Sequence, residues 1–250
     1  GHDKIKQYLG KKQDGLHLVF LFDILYYKFK ADFFRKKILE YEHHYPAPNI
    51  PTAVFSNHDQ LRSIHRIGNN PEKAKLLALL QFTMRAVPCV YYGEEIGMTD
   101  GKIPIKKGKD PMVKVYSWVP QFIADRLPVG INRDNCRTPM QWNNAKNAGF
   151  SDAEKTWLPI NEDVEKINVR TQLANKDSLL NAFKQLIRLR NKHAAMHSGS
   201  IEIVQAGNKD ILAFIRSVED EKIMVLINFS NADIRITLNQ ELKEILFSVK

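Results

Sequence analysis

Three short apolar runs, separated by helical stretches and ending in polar residues, constrain this chain more than any other feature. Residues 16–22 (LHLVFLF) form a continuous apolar run between Gly15 and Asp23, the pattern of a strand buried on both faces. In residues 29–41, Phe29, Phe33, Ile38 and Leu39 sit among charges, which predicts an amphipathic helix that stops before Pro46, Pro48 and Pro51. A second strand follows over residues 52–56. Asn70 and Pro71 then offer a cap and a first-turn proline, and residues 74–86 supply an apolar helical face that ends ahead of Pro88. The third strand, residues 89–92, is closed by Gly93, Glu94 and Glu95. This alternation predicts parallel strands with helical crossovers, hence an α/β sheet or barrel. Three strands cannot close a barrel, which takes about eight.

Residues 98–177 carry no sustained periodicity and are rich in Gly, Pro, Asn and Asp, and connections this long in a compact domain are usually functional. Asp177 or Ser178 caps a helix whose buried stripe is Leu180, Phe183, Leu186 and Ile187. Beyond Gly199 the pattern is strands alone: residues 201–204, 211–216 and 223–229, then the alternating Ile234, Ile236 and Leu238. We therefore expect an α/β domain over residues 1–196 and an antiparallel β domain over residues 197–250.

Lys and Arg total 37 against 28 acids, a net charge of +9. The basic residues lie in small groups with acids interspersed, not in one stripe interleaved with aromatics, so a solvated surface is expected and nucleic acid is not. The longest apolar stretch is interrupted by His17 and Asp23 and is too short for a membrane span. Cys89 and Cys136 lack metal or disulfide spacing and read as buried thiols, which suits a reducing, cytoplasmic setting. No cofactor and no metal are expected. His43 and His44, adjacent near a helix end, suit dipole stabilisation or exposure better than metal binding.

Three motifs carry chemistry. The second strand delivers Asn57, His58 and Asp59 to its C-terminal end, where ligands bind in parallel α/β folds. Asp59 can accept two hydroxyl hydrogens there while His58 donates to a third oxygen, an arrangement suited to a sugar. Capping of a following helix is the alternative for Asn57 or Asp59. In NRDNCRTPMQW, Arg133 and Arg137 lie four residues apart near Trp142, and guanidinium forks with an indole face also suit a sugar. Their alternative is ion pairing with Asp134 or other acids that pins a long loop. In YYGEEIGM, Glu94 and Glu95 could be paired carboxylates, although adjacent residues on a turn diverge.

Together and in this order, FSNHDQLR, VYYGEEIGM and NRDNCRTPMQWNNAKNAGFS resemble the α-amylase family of glycoside hydrolases, family 13. RTPMQW with NAGFS and INVRTQLANKDSLLNAFKQLIRLR is similar to its oligo-1,6-glucosidase and α-glucosidase branch. The resemblance implies the C-terminal part of a (β/α)₈ TIM barrel, strands six to eight, followed by an antiparallel β-sandwich. It implies that Asp59 is the third catalytic carboxylate, holding the 2- and 3-hydroxyls of the reacting glucose. His58 and Asn57 would be its neighbours in that subsite and Arg133 the arginine at the mouth, with Arg137, Trp142 and Glu95 supporting the loop. The nucleophilic Asp and acid/base Glu of the family end strands four and five, before Gly1, so the N-terminal half of the barrel is required and the chain alone is expected to be inert. Leu61 and Tyr92 depart from the branch, where relatives often have Pro and Gln. A non-catalytic binding subunit and a transglycosylase or isomerase stay open as alternatives.

Overall fold

The computed structural model describes residues 1–10, 14–124, 131–237 and 241–249. Along the chain run α1 (His2–Leu9), α2 (Ala31–His44), β1 (Thr52–Val54), α3 (Ser63–Arg66), α4 (Pro71–Thr83) and β2 (Val87–Cys89). After them come α5 (Pro111–Val115), α6 (Gln121–Ala124), α7 (Val169–Ala174), α8 (Leu179–Lys192), α9 (Ala194–His197), β3 (Ser200–Val204), β4 (Ile211–Val218) and β5 (Glu221–Asn228). The chain divides into two units, one of residues 1–54, 75–89 and 184–250, the other of residues 55–74 and 90–183.

In the first unit β1 and β2 pair in parallel, Ala53 opposite Pro88, as the alternation predicts, but β2 shares only Cys89 with the strand expected at residues 89–92. β1 is buried throughout because α4 lies against it, and Gln81 Nε2 donates to the carbonyls of Ala53 and Cys89, both at 3.2 Å. The strand expected at residues 16–22 is not formed. Thr52 Oγ1 accepts from Leu21 N and donates to Val19 O, so a side chain, not a backbone ladder, hangs this segment on β1. Its faces are also not both covered: Leu16, Leu18, Phe20 and Phe22 are 42–62% exposed and only Leu21 is buried. A contiguous apolar patch of this kind favours association. Light scattering on the chain should show concentration-dependent self-association that Phe20→Lys with Phe22→Lys reduces; a monodisperse, cooperatively melting monomer would contradict this.

Helix α2 buries Ala31, Phe34, Ile38 and Tyr41, an i, i+3, i+7, i+10 stripe, and leaves Leu39 exposed. Phe34 packs on Phe229, ring centroids 5.3 Å apart. The antiparallel sheet has the order β3-β4-β5, with a two-residue turn at Glu219 and Asp220. Glu219 has φ 49°, the left-handed geometry such tight hairpins require. The expected sandwich is thus one three-stranded sheet among the described residues. Residues 231–237 form no strand, and Leu238 lies outside the described residues. Asn228 and Ser230 explain this locally: their side chains bond each other and the Ala232 carbonyl, giving the backbone a turn in place of a ladder.

Arg216 is fully buried on β4 and all its guanidinium nitrogens donate to carbonyls, those of Thr83, Met196, Gly199 and Ser200. Arg190 donates from Nη1 and Nη2 to the carbonyls of Phe82, Ala86 and Met196. Two arginines therefore satisfy carbonyls of the last turn of α4 and of the chain just after it, where helical partners run out.

In the second unit Ile96, Met98 and Met140 form a buried cluster against Ile167, Val169 and Leu180. Gln172 ties α7 to the 3₁₀ turn Glu94–Ile96, donating to Ile96 O at 2.6 Å. No helix among the described residues is long and apolar enough to cross a membrane.

Candidate functional site

The site lies in the second unit and is built from two loops, residues 56–62 after β1 and the long connection. Asn57 Oδ1 accepts from Asp59 N at 3.0 Å, a tight turn that fixes the direction of the Asp59 side chain. Asp110 caps α5 by accepting from Met112 N at 2.9 Å, with Pro111 at the first helical position. Asn132 caps the 3₁₀ turn Arg133–Cys136 by accepting from Asp134 N at 3.1 Å. Asp134 in turn accepts from the backbone N–H of Lys109 and Asp110. The loop is thereby locked to itself, and Asp134 serves the backbone, not the arginines.

Those arginines converge on two carboxylates. Arg133 grips Asp110 with Nε at 2.5 Å and Nη2 at 2.8 Å, and its Nη1 reaches Asp59 Oδ1 at 2.7 Å. Arg137 Nη2 reaches the same Oδ1 at 3.1 Å, its Nε donates to His58 O at 2.8 Å, and its Nη1 lies 3.3 Å from Asp110 Oδ2. Asp59 Oδ2 stands 3.5 Å from His58 Nε2. The two carboxylates differ in access: Asp110 is fully covered, whereas the Asp59 and His58 side chains are 40% and 66% exposed. An accessible carboxylate clamped by two guanidinium groups beside an imidazole can accept hydroxyl hydrogens from a polyol without moving.

The Arg133 fork holds the Asp110 carboxyl down to about 2, with Met112 N and Arg137 adding to it. A carboxylate titrates near 4 in the unfolded chain, so the unfolded state takes up the proton first as pH falls. The pairing thus stabilises the fold above about pH 4 and fades between about pH 4 and 2. Asp110→Asn should lower the urea midpoint at pH 7, with the gap to the unaltered chain closing toward pH 2; a gap independent of pH would contradict this.

Arg62 supports the site from below. It is buried, donates Nη1 to Tyr92 O at 2.7 Å and lies over the rings of Tyr91 and Tyr92, 5.2 and 4.9 Å from their centroids. The tyrosine hydroxyls donate to Cys136 O and Thr138 O, tying residues 91 and 92 to the arginine loop. Burial pushes the Glu94 carboxyl up to about 7, while Ser63 Oγ and Tyr91 N bond it at 2.9 and 3.1 Å. Glu95 is also raised by burial and does not reach the Asp59 group. The Trp142 side chain is half exposed, while its backbone bonds Ala148 and Arg170.

The structure therefore brings Asn57, His58, Asp59, Arg133 and Arg137 together and leaves Trp142 and Glu95 apart. Arg137, expected to support the loop, lies on Asp59 itself. Sequence reasoning missed Asp110, although Asp-Pro before an apolar turn is a helix-start signal, and it missed Arg62, whose burial leaves no local trace.

Residues 1–199 match the family model for the α-amylase catalytic domain, and residues 201–246 match that for the maltogenic amylase C-terminal domain. Among curated proteins, an oligo-1,6-glucosidase of Parageobacillus thermoglucosidasius is 34% identical over 192 residues, covering 72% of this chain and 34% of that protein. A glucan 1,6-alpha-glucosidase of Streptococcus pneumoniae is 35% identical over 207 residues, covering 78% of this chain and 38% of that protein. Among solved structures, isomaltulose synthase SmuA from Protaminobacter rubrum superposes with a TM-score of 0.80 at 28% identity, covering 92% of this chain and 45% of that one. The chain spans about a third of the length of these curated relatives. On the extent of the catalytic-domain match, the chain belongs to the α-amylase family, glycoside hydrolase family 13.

Proposed function

We propose that this chain is the C-terminal part of a retaining α-glucosidase that hydrolyses short α-linked gluco-oligosaccharides. The observation that carries the reading is the convergence of Arg133 and Arg137 on Asp59 Oδ1 beside an exposed His58. In this reading Asp59 accepts the 2- and 3-hydroxyls of the reacting glucose and tightens its grip as oxocarbenium character develops. His58 and Asn57 shape the same subsite, and Arg133 and Arg137 hold the Asp59 carboxylate in its aim. Trp142 and Glu95 support the surrounding loops. A retaining mechanism also needs a nucleophile and an acid/base flanking the bond, about 5–5.5 Å apart. Asp59, pinned by two arginines, serves as neither, so both come from an N-terminal half of the barrel and the chain alone is inactive.

We place the change from barrel to β domain near residue 197, supported by the switch of family match between residues 199 and 201. A reducing, cytoplasmic setting fits the free cysteines Cys89 and Cys136. The reading is tested by extending the gene upstream and assaying the product on a nitrophenyl α-glucoside; no turnover would count against it. The isomaltulose synthase likeness keeps an isomerase in view, and product analysis with sucrose separates isomerised disaccharide from free monosaccharides.

A further inference from the structure

In the first unit α1, α2 and the segment between them gather two imidazoles and two carboxylates that the proposed reaction does not use. His2 Nε2 lies 2.9 Å from Glu40 Oε1 and 3.3 Å from Asp23 Oδ2. Glu40 and His44 are one turn apart on α2 and project from the same face. One ligand atom from each of His2, Glu40 and His44 lies within 4.8 Å of the other two. The His44 ring stacks on that of His2, centroids 4.5 Å apart, and its buried Nδ1 has no hydrogen-bond partner. The protein's own groups leave that ring nitrogen open to a water or an ion.

We propose that His2, Glu40 and His44 bind a divalent transition metal of the zinc class, with water completing its shell. Two imidazole nitrogens and a carboxylate oxygen fit zinc, whereas calcium and magnesium take oxygen alone. Metal-ligand bonds of about 2.0–2.1 Å set the ligand atoms of a tetrahedron about 3.3 Å apart. The His2 to Glu40 separation is slightly shorter than this value. The wider span means that binding draws the ligands inward. Surrounding groups are arranged accordingly. The Tyr45 hydroxyl bonds His2 Nδ1 at 3.0 Å and orients Nε2, and Lys37 bonds Glu40 Oε2 at 2.7 Å, leaving Oε1 toward the cluster. Binding at His2 Nε2 requires the ring proton on Nδ1, where it donates to the Tyr45 hydroxyl, so a proton on Nε2 either moves to Nδ1 or, if the ring is doubly protonated, leaves to solvent. It fastens α1 to α2 and plays no part in glycoside cleavage.

Equilibrium dialysis of the chain against zinc chloride should give one tightly bound ion per chain. Cobalt(II) as a probe should give the intense visible bands of a tetrahedral site. His44→Gln and Glu40→Gln should each weaken zinc binding about 10–100-fold or more, while His17→Gln, at an exposed position, should leave it unchanged. Circular dichroism shows whether each variant keeps its fold. The proposal is overturned if the unaltered chain binds zinc no more tightly than the His44→Gln chain, or if cobalt gives only the pale octahedral spectrum; that spectrum needs no variant.

Discussion

Replacing Asp59 by Asn in the upstream-extended protein is expected to lower kcat/KM on a nitrophenyl α-glucoside by about 10²–10³-fold, the loss typical of a group that stabilises developing charge. The substitution keeps shape and removes charge. Asparagine can still accept through one oxygen, but its amide N–H₂ then competes with Arg133 and Arg137, whose guanidinium groups converge on Oδ1 at 2.7 and 3.1 Å. The grip on the two sugar hydroxyls strengthens toward the transition state, so kcat should fall more than KM rises. Stability should change little, because the Asp59 side chain is 40% exposed and such pairs contribute at most about 1 kcal/mol. A loss below about tenfold, with unfolding unchanged, would remove Asp59 from the catalytic group.

Replacing Arg216 by Met is expected to have the largest effect on stability. The guanidinium is completely buried and its donors go to the carbonyls of Thr83, Met196, Gly199 and Ser200. Methionine fills much of the volume but leaves those carbonyls without donors in a dry interior, and each such loss carries the full desolvation cost. Leaving several buried carbonyls unpaired, at about 1–3 kcal/mol each, puts the loss at about 3–5 kcal/mol. With a urea slope of about 2 kcal/mol/M, the unfolding midpoint should fall by about 2 M. Arg216→Lys should recover only part of this, because one ammonium cannot span four carbonyls. Lys222→Met, an exposed change on the neighbouring strand, should change the stability by less than about 0.5 kcal/mol.

The parallel pairing of β1 with β2, the helices on either side and the antiparallel β3 to β5 sheet were legible in the sequence because each rests on local periodicity and punctuation. Residues 16–22 misled because a continuous apolar run does not reveal whether a neighbour covers it; the segment meets the Thr52 hydroxyl and not a backbone ladder. Ile187 was expected inside and lies 42% exposed, since a 3.6-residue period blurs the edge of a buried stripe. The Asp59 and Arg133 pairing spans 74 residues of sequence and was reached through resemblance, not spacing. Asp110 and Arg62 stayed hidden for a related reason: their roles come from the loop's tertiary closure, which no short motif encodes.

The most direct test of the account is the complex of the upstream-extended protein with glucose, solved by crystallography. The account predicts that Asp59 lies within hydrogen-bonding distance of the 2- and 3-hydroxyls of the bound ring while Arg133 and Arg137 keep their hold on its other oxygen. A glucose bound elsewhere, or one whose hydroxyls are met by other groups while Asp59 faces only the arginines, would contradict it.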